Sequence, residues 1–529
     1  MRISKNQARK MGLIIGPMLF LLVAFFPAIS LTAGLTFQAK VVLGATLWMT
    51  VWWITEAIPI YVTALLPFVL FPTLGVTRLE ETAASYADRV VFLFTAGFML
   101  AKAIEKSNLH SRIALGILKV FGTNPKYIVA GFMTVIVLLG SWMSNTAITM
   151  LMLPVAVAVI GQFRDPHDRE KFGLCLMLSV AYSASISGVA TLISSPPNAI
   201  FASVSKEIVD IDVSFSQWMV VGFPIGLLSV LVAWLYMVNF GSSIRSIKPI
   251  AEEKGLIGKK LLELGKMTRD EKLVIGVFAG TAIAWITRGL LWGRFIPAVD
   301  DSTIAIAAIF FLFVLPSSRS RNKKKPSGRQ ETAEGRQNIM NANTPAGFDN
   351  TDTSRRDTDG DDDDSDRESG RRLLDWNAAV QIPWGVLLLI GGGIALADAF
   401  TATGLDKLIA QQLIFLEGMD YGVVIFIMVS ITALIGEVIS NTATAALMIP
   451  ISASVATSLG INPVLLMVPV TMVTSFSFIM PVSTPPNTIV FASGYVTIPK
   501  MVRAGLLLKI IGIVLVTILT TLLVPFVWK

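Results

Sequence analysis

Apolar runs of about 17 to 25 residues recur along the chain between short polar segments, the length needed to cross the hydrocarbon core of a bilayer. The pattern predicts spans near residues 12–33, 41–57, 60–76, 88–106, 172–203, 216–240, 270–287, 302–316, 380–400, 463–494 and 502–527. Two more apolar segments, 127–160 and 421–455, are interrupted halfway by polar clusters and read as re-entrant hairpins. The expected fold class is an all-α polytopic membrane protein with about eleven transmembrane helices plus two hairpins, in two inverted-topology repeats.

The interruptions carry the repeat. Ser144-Asn145-Thr146 returns as Ser440-Asn441-Thr442, 296 residues later, each followed by alanine and, ten residues after the serine, by Pro154 or Pro450. Further along each half stand Ser195-Pro196-Pro197-Asn198 and Thr484-Pro485-Pro486-Asn487. Upstream, Leu93 to Leu109 matches Leu389 to Leu405 at the same offset, with Gly97 on Gly393 and Ala101 on Ala397. One Ser-Asn-Thr is uninformative, but paired motifs in the same order mark an internal duplication. The small residues of the upstream segments suit close helix approach rather than ligand binding.

Ser, Asn and Thr compete for backbone bonds inside helices and favour caps, so Gly140-Ser141 and Ser144-Asn145-Thr146 predict a hairpin tip near mid-membrane. Backbone at that depth is tolerated only where it is buried or lines a wet cavity. Such a tip offers carbonyls of one half-helix and amides of the next. The carbonyls, with the Ser144 hydroxyl and the Asn145 amide oxygen, suit a hard cation such as Na⁺. The amides, with Asn145 and Thr146, suit a carboxylate or other oxyanion. Each proline pair is expected to break its helix and free carbonyls near Ser194 and Ser483, as a plain kink or as the facing wall of a cation cage. Five crossings between the hairpins make them open to opposite sides, the plan of secondary transporters.

Composition agrees: 53% of residues are apolar and 15% charged. The first run, behind Arg2, Lys5, Arg9 and Lys10, reads as a span rather than a signal peptide. With the N-terminus cytoplasmic and the C-terminus outside, lysines and arginines outside the long loop fall mostly on the inner side, as expected in a plasma (inner) membrane. The net charge of +7 therefore needs no nucleic-acid partner. Trp52, Trp53 and Glu56 read as an interfacial helix end. Ser111–Val120 and Leu405–Phe415 read as amphipathic stretches. Cys175 is the single cysteine, and His110 and His167 fall in charged connecting segments. No Cys/His cluster, phosphate loop or nucleophile–base set argues for an enzyme, and no pore-lining charged ring argues for a channel. Glu437 is an acidic residue at hairpin depth, suited to cation or proton handling or to a buried structural pairing.

These motifs resemble those of the divalent anion/sodium symporter family, which carries di- and tricarboxylates or sulfate. The resemblance covers nearly the whole chain apart from residues 317–375. It implies a homodimer whose transport domain moves like an elevator against a scaffold. Scaffold helices would occupy 1–87, 216–316 and 500–529, and the transport regions 88–215 and 376–499. By position, one sodium site would use Ser144, Asn145 and the carbonyl near Ser194, and the other Ser440, Asn441 and the carbonyl near Ser483. Asn145, Thr146, Asn441 and Thr442 would hold substrate carboxylates, with Pro197 and Pro486 nearby. Gly140 and Gly436 stand where well-studied members have a hydroxyl residue, so they offer the cation only a carbonyl. The implied activity is sodium-coupled symport of a C4-dicarboxylate such as succinate or malate. Sodium-independent anion exchange, or sulfate or tricarboxylate transport, stays open.

Residues 317–375 open basic and turn acidic through Asp361 to Asp364, with too little apolar content to offset ordering entropy. Read as a disordered cytoplasmic linker, the segment is dispensable: a chain lacking residues 319–371 should transport at the full rate. A changed rate in reconstituted vesicles would reveal a regulatory segment instead.

Overall fold

The computed structural model describes residues 5–26, 35–241, 244–249, 256–293, 295–318, 372–405, 408, 416, 418–481 and 483–528. Most of the 317–375 loop and of the 405–415 stretch thus lies outside the described residues. The first half comprises α1 (Lys5–Phe25), α2 (Phe37–Thr55), α3 (Ile60–Thr63), α4 (Leu66–Thr73), α5 (Leu79–Tyr86), α6 (Arg89–Lys106), α7 (Leu109–Val120), α8 (Pro125–Gly140), α9 (Asn145–Ile160), α10 (Pro166–Ser187), α11 (Pro196–Val209) and α12 (Phe215–Tyr236). The chain continues with α13 (Leu256–Glu263), α14 (Arg269–Thr287), α15 (Asp301–Val314), α16 (Trp376–Ala379) and α17 (Trp384–Thr403). It closes with α18 (Tyr421–Ile435), α19 (Asn441–Ser458), α20 (Pro463–Thr474), α21 (Pro485–Ala492) and α22 (Ile498–Val527).

No strand occurs among the described residues, which make the all-helical fold expected from the apolar pattern. Among the described residues, four helices are long and apolar enough to cross a bilayer by themselves: residues 6–25, 215–241, 384–403 and 498–527. The span expected at 60–76 is not one helix. It divides into α3 and α4, with Pro67 in the first turn of α4, where its missing amide costs nothing.

The last helix shows how the fold treats polarity. Its outward residues Leu507, Ile510, Val514, Ile518 and Leu522 are exposed, while Gly505, Leu508, Lys509, Gly512 and Val516 are buried. Apolar outside and charged inside reverses the water-soluble pattern and suits a hydrocarbon surround. Exposed Ile14, Met18 and Leu21 on α1 and Leu227, Leu231 and Leu235 on α12 repeat this.

Buried polar ties join distant elements. Arg112 on α7 donates to both carboxylate oxygens of Glu271 at 2.8 and 3.2 Å, and its Nη1 and Nη2 also donate to the Gly265 and Leu264 carbonyls. His110 is not in an open connecting segment: it lies buried at the start of α7, with Nδ1 3.2 Å from the Ile104 carbonyl oxygen. Glu56, a helix end as expected, closes α2 in the left-handed conformation and pairs with Arg9.

Close approach depends on glycine at two matching places. A Cβ on Gly505 would overlap the Phe478 carbonyl, and one on Gly222 the Val189 carbonyl, so α22 and α12 each press against bare backbone of the other elements. Gly505→Ala should therefore cost about 1–3 kcal/mol of stability. Gly276→Ala, where nothing lies within 4 Å of the new methyl, should be neutral or slightly stabilising. Thermal melts of the purified proteins in detergent check this, and equal melting temperatures for the two variants would contradict the packing argument.

Candidate functional site

Each Ser-Asn-Thr motif begins a helix. Ser144 caps α9 by accepting the Ala147 amide at 3.2 Å, and Ser440 caps α19 by accepting the Ala443 amide at 3.3 Å. Asn145 and Asn441 are then the first helical residues, with Thr146 and Thr442 beside them in the first turn, where free amides and the helix dipole favour negative charge. α8 ends at Gly140 and α18 at Ile435, just before Gly436, so both glycines sit at the end of a helix that offers carbonyls. Both are buried.

The second motif works differently from the expectation. The proline pairs do not terminate a helix; they start α11 and α21 as the first two residues of each, where no amide donor is required. The breaks lie upstream, between Ser187 and Ser195 and between Thr474 and Thr484. Asn198 bridges the first break, its Nδ2 donating to the Gly188 and Thr191 carbonyls at 2.9 Å each. Asn487 does the same in the second, to Ser477 at 3.1 Å and Met480 at 3.0 Å. Ser194 and Ser483 use their hydroxyls locally, donating to the Thr191 and Met480 carbonyls at 2.7 Å each. Pro197 and Pro486 are buried behind them.

The packing between halves is crossed. α9, which begins at Asn145, packs on α21 of the second half, and α19, which begins at Asn441, packs on α11 of the first. The two breaks also meet, with the Ser475 and Ser195 hydroxyls 3.5 Å apart. Every residue singled out from the two motif pairs thus belongs to one set of interlocked elements.

Several members of this cluster escaped the sequence reading. Ser187 donates to Asn145 Oδ1 at 3.3 Å, and Ser477 donates to Asn441 Oδ1 at 2.9 Å. Asn198 Oδ1, Asn487 Oδ1 and Thr484 Oγ1 are buried with no hydrogen-bond partner among the described residues. Buried polar atoms are ordinarily paired, so unpaired ones beside helix termini are candidates for bonding a ligand or water. The repeated asparagine after each proline pair was the available signal for Asn198 and Asn487. Ser187 and Ser477 had none, lying among many other serines.

The two tips are anchored by different physics. Trp142 in the first lies against Phe215, Phe278 and Trp285, with ring centroids 5.7, 4.7 and 6.4 Å away. The second is held by charge. Glu437 Oε1 accepts from Lys509 Nζ at 2.9 Å and from the Phe478 amide at 3.0 Å, while Oε2 accepts from the Ile479 amide at 3.2 Å. Lys509 also donates to the Phe476 carbonyl at 2.7 Å. Glu437 thus makes a buried structural pairing. It stitches the tip, the facing break and the last helix together.

Helices broken at corresponding positions of two repeats, around a polar cluster, are the pattern of membrane transporters. The crystal structure of the Alcanivorax borkumensis YdaH transporter shares this fold, with a TM-score of 0.51 and 14% sequence identity over 92% of this chain and 99% of that one. The chain belongs to the sodium:sulfate symporter family, whose transmembrane-region model matches residues 7–528. It is similar to the sodium-dependent dicarboxylate transporter SdcS of Staphylococcus saprophyticus, 35% identical over 99% of this chain and 92% of the relative. The SdcS protein of Staphylococcus aureus strain USA300 is 34% identical over 98% and 91%.

Breaking the buried ion pair from one side leaves an uncompensated charge. Lys509→Met and Glu437→Gln should each destabilise by about 3–5 kcal/mol, and the double variant should cost clearly less than the two singles together. Chemical unfolding of the four proteins in detergent measures this; strictly additive losses would mean that the two side chains are not coupled.

Proposed function

We propose that the protein is a secondary active transporter coupling the sodium gradient to uptake of a C4-dicarboxylate such as succinate or malate. The observation that carries this reading is the crossed packing of α9 on α21 and α19 on α11. It gives one buried cluster two helix N-termini for two carboxylates and two helix C-termini for cations, the division of labour found where transporter helices are discontinuous. In this proposal Asn145, Thr146, Asn441 and Thr442 bind the carboxylates, with Pro197 and Pro486 shaping the walls. Gly140, Ser144, Asn145 and Ser194 form one sodium site, and Gly436, Ser440, Asn441 and Ser483 the other. The similarity to sodium-dependent dicarboxylate transporters along the full length favours this substrate class over sulfate.

The proposal extends to topology. A helix of 16 residues such as α8 or α9 is about 24 Å long, short of the ~30 Å hydrocarbon core, which supports the re-entrant reading of 127–160. Eleven crossings and two oppositely opening hairpins then set the N-terminus in the cytoplasm and the C-terminus outside, in the plasma membrane. The two transport regions, 88–215 and 376–499, move together in elevator fashion against the remaining helices of a homodimer.

Proteoliposomes should take up labelled succinate when an inward sodium gradient is imposed and not when choline replaces sodium. Asn145→Ala and Asn441→Ala should each reduce that uptake to background. Uptake that ignores sodium but requires an anion inside would make the protein an exchanger. Uptake of sulfate without succinate would change the substrate.

A further inference from the structure

We infer, on the basis of the sodium-coupled reading above, that Ser187 and Ser477 are cation ligands. They supply from the facing wall the hydroxyl that the helix ends at positions 140 and 436 lack. Three observations support this assignment.

The first is steric. A Cβ placed on Gly140 would collide with the Ser187 side chain, whose own Cβ lies 2.9 Å from that point. The hydroxyl of Ser187 therefore fills the room that a side chain at 140 would need. Glycine at 140 and serine at 187 form a matched pair.

The second is the company each hydroxyl keeps. Ser477 Oγ stands 2.9 Å from Asn441 Oδ1 and 3.2 Å from the Gly436 carbonyl oxygen, so three oxygens from three parts of the chain converge. Ser187 Oγ stands 3.3 Å from Asn145 Oδ1 and 2.8 Å from the Ala184 carbonyl oxygen. Both serines are wholly buried. Carbonyl, amide and hydroxyl oxygens are what a hard cation takes. A hydroxyl has one proton and two lone pairs. With its proton directed at a neighbouring carbonyl, each serine can present a lone pair to the metal.

The third is register. Counted back from the first proline of each pair, Ser187 is nine residues away and Ser477 eight. Asn198 bonds to Gly188 and Asn487 to Ser477, so the equivalent of Ser477 in the first half is Gly188, not Ser187. Two non-equivalent positions thus deliver a hydroxyl to the same asparagine oxygen. Inheritance from a duplicated ancestor does not produce that coincidence; a shared demand for an oxygen beside each tip does.

The test moves the hydroxyl across the cage. Ser187→Gly and Ser477→Ala should each raise the sodium concentration for half-maximal succinate uptake by roughly 10-fold, the loss expected for one bond to a charged group. The succinate KM at saturating sodium should stay within about 2-fold. Gly140→Ser combined with Ser187→Gly should restore the original sodium dependence, whereas a hydroxyl that only closes the α10 end would not be replaced from the other wall. Sodium-induced thermal stabilisation of the purified variants, with lithium and choline as comparisons, reads binding without transport. Ser477→Ala, which removes one oxygen and adds no glycine, keeps the test open when Ser187→Gly weakens its helix end. A wild type driven by sodium, with both single variants unchanged in sodium dependence, overturns the assignment while leaving the proposed function intact. A wild type indifferent to sodium overturns both.

Discussion

Peptide groups removed from water have to be bonded within the protein, and where this chain interrupts its helices the structure meets that demand with side chains. The breaks at 188–195 and 475–484 are each spanned by one asparagine, Asn198 or Asn487, whose Nδ2 serves two carbonyls. Prolines at the start of the next helix remove the donors that would otherwise be stranded. The Oδ1 atoms of both asparagines and Thr484 Oγ1 stay buried and unpaired among the described residues. The Pro-Pro-Asn motif is therefore a device for ending one helix and beginning another at little energetic cost while keeping a few oxygens in reserve.

Duplication gives the halves the same motifs, but their surroundings have diverged. The first tip leans on an aromatic stack through Trp142; the second is fixed by Glu437 and Lys509. Aromatic contacts have preferred geometries but weaken gradually on small shifts, whereas a buried ion pair is strong only in good geometry. The two tips thus differ in how far they can be displaced without loss. Lys509 is also the charge that an apolar final helix would be expected to exclude, and it is held inside by two oxygens on other elements.

Local grammar made much of this legible in advance. Ser144 and Ser440 have side chains suited to capping, and both cap. Glu437 is legible as an acid too deep to be solvated, but its pairing with Lys509, 2.9 Å away, is not. His110 read as a connector residue because its neighbours are charged, yet helix packing buries it. The proline pairs predict a break in the helix they enter, because the sequence alone does not say on which side of a proline the helical bonds continue.

By itself, the amino-acid sequence determined the membrane setting, the duplication and the positions of the polar tips, since apolar run length, motif spacing and capping preference are properties of neighbouring residues. Only the tertiary structure decided which oxygens meet. Ser187 reaches Asn145 across 42 residues, Ser477 reaches Asn441 across 36, and Lys509 reaches Glu437 across 72. Contacts of that range depend on how helices cross, and crossing is set by the summed packing of many side chains that no single segment encodes.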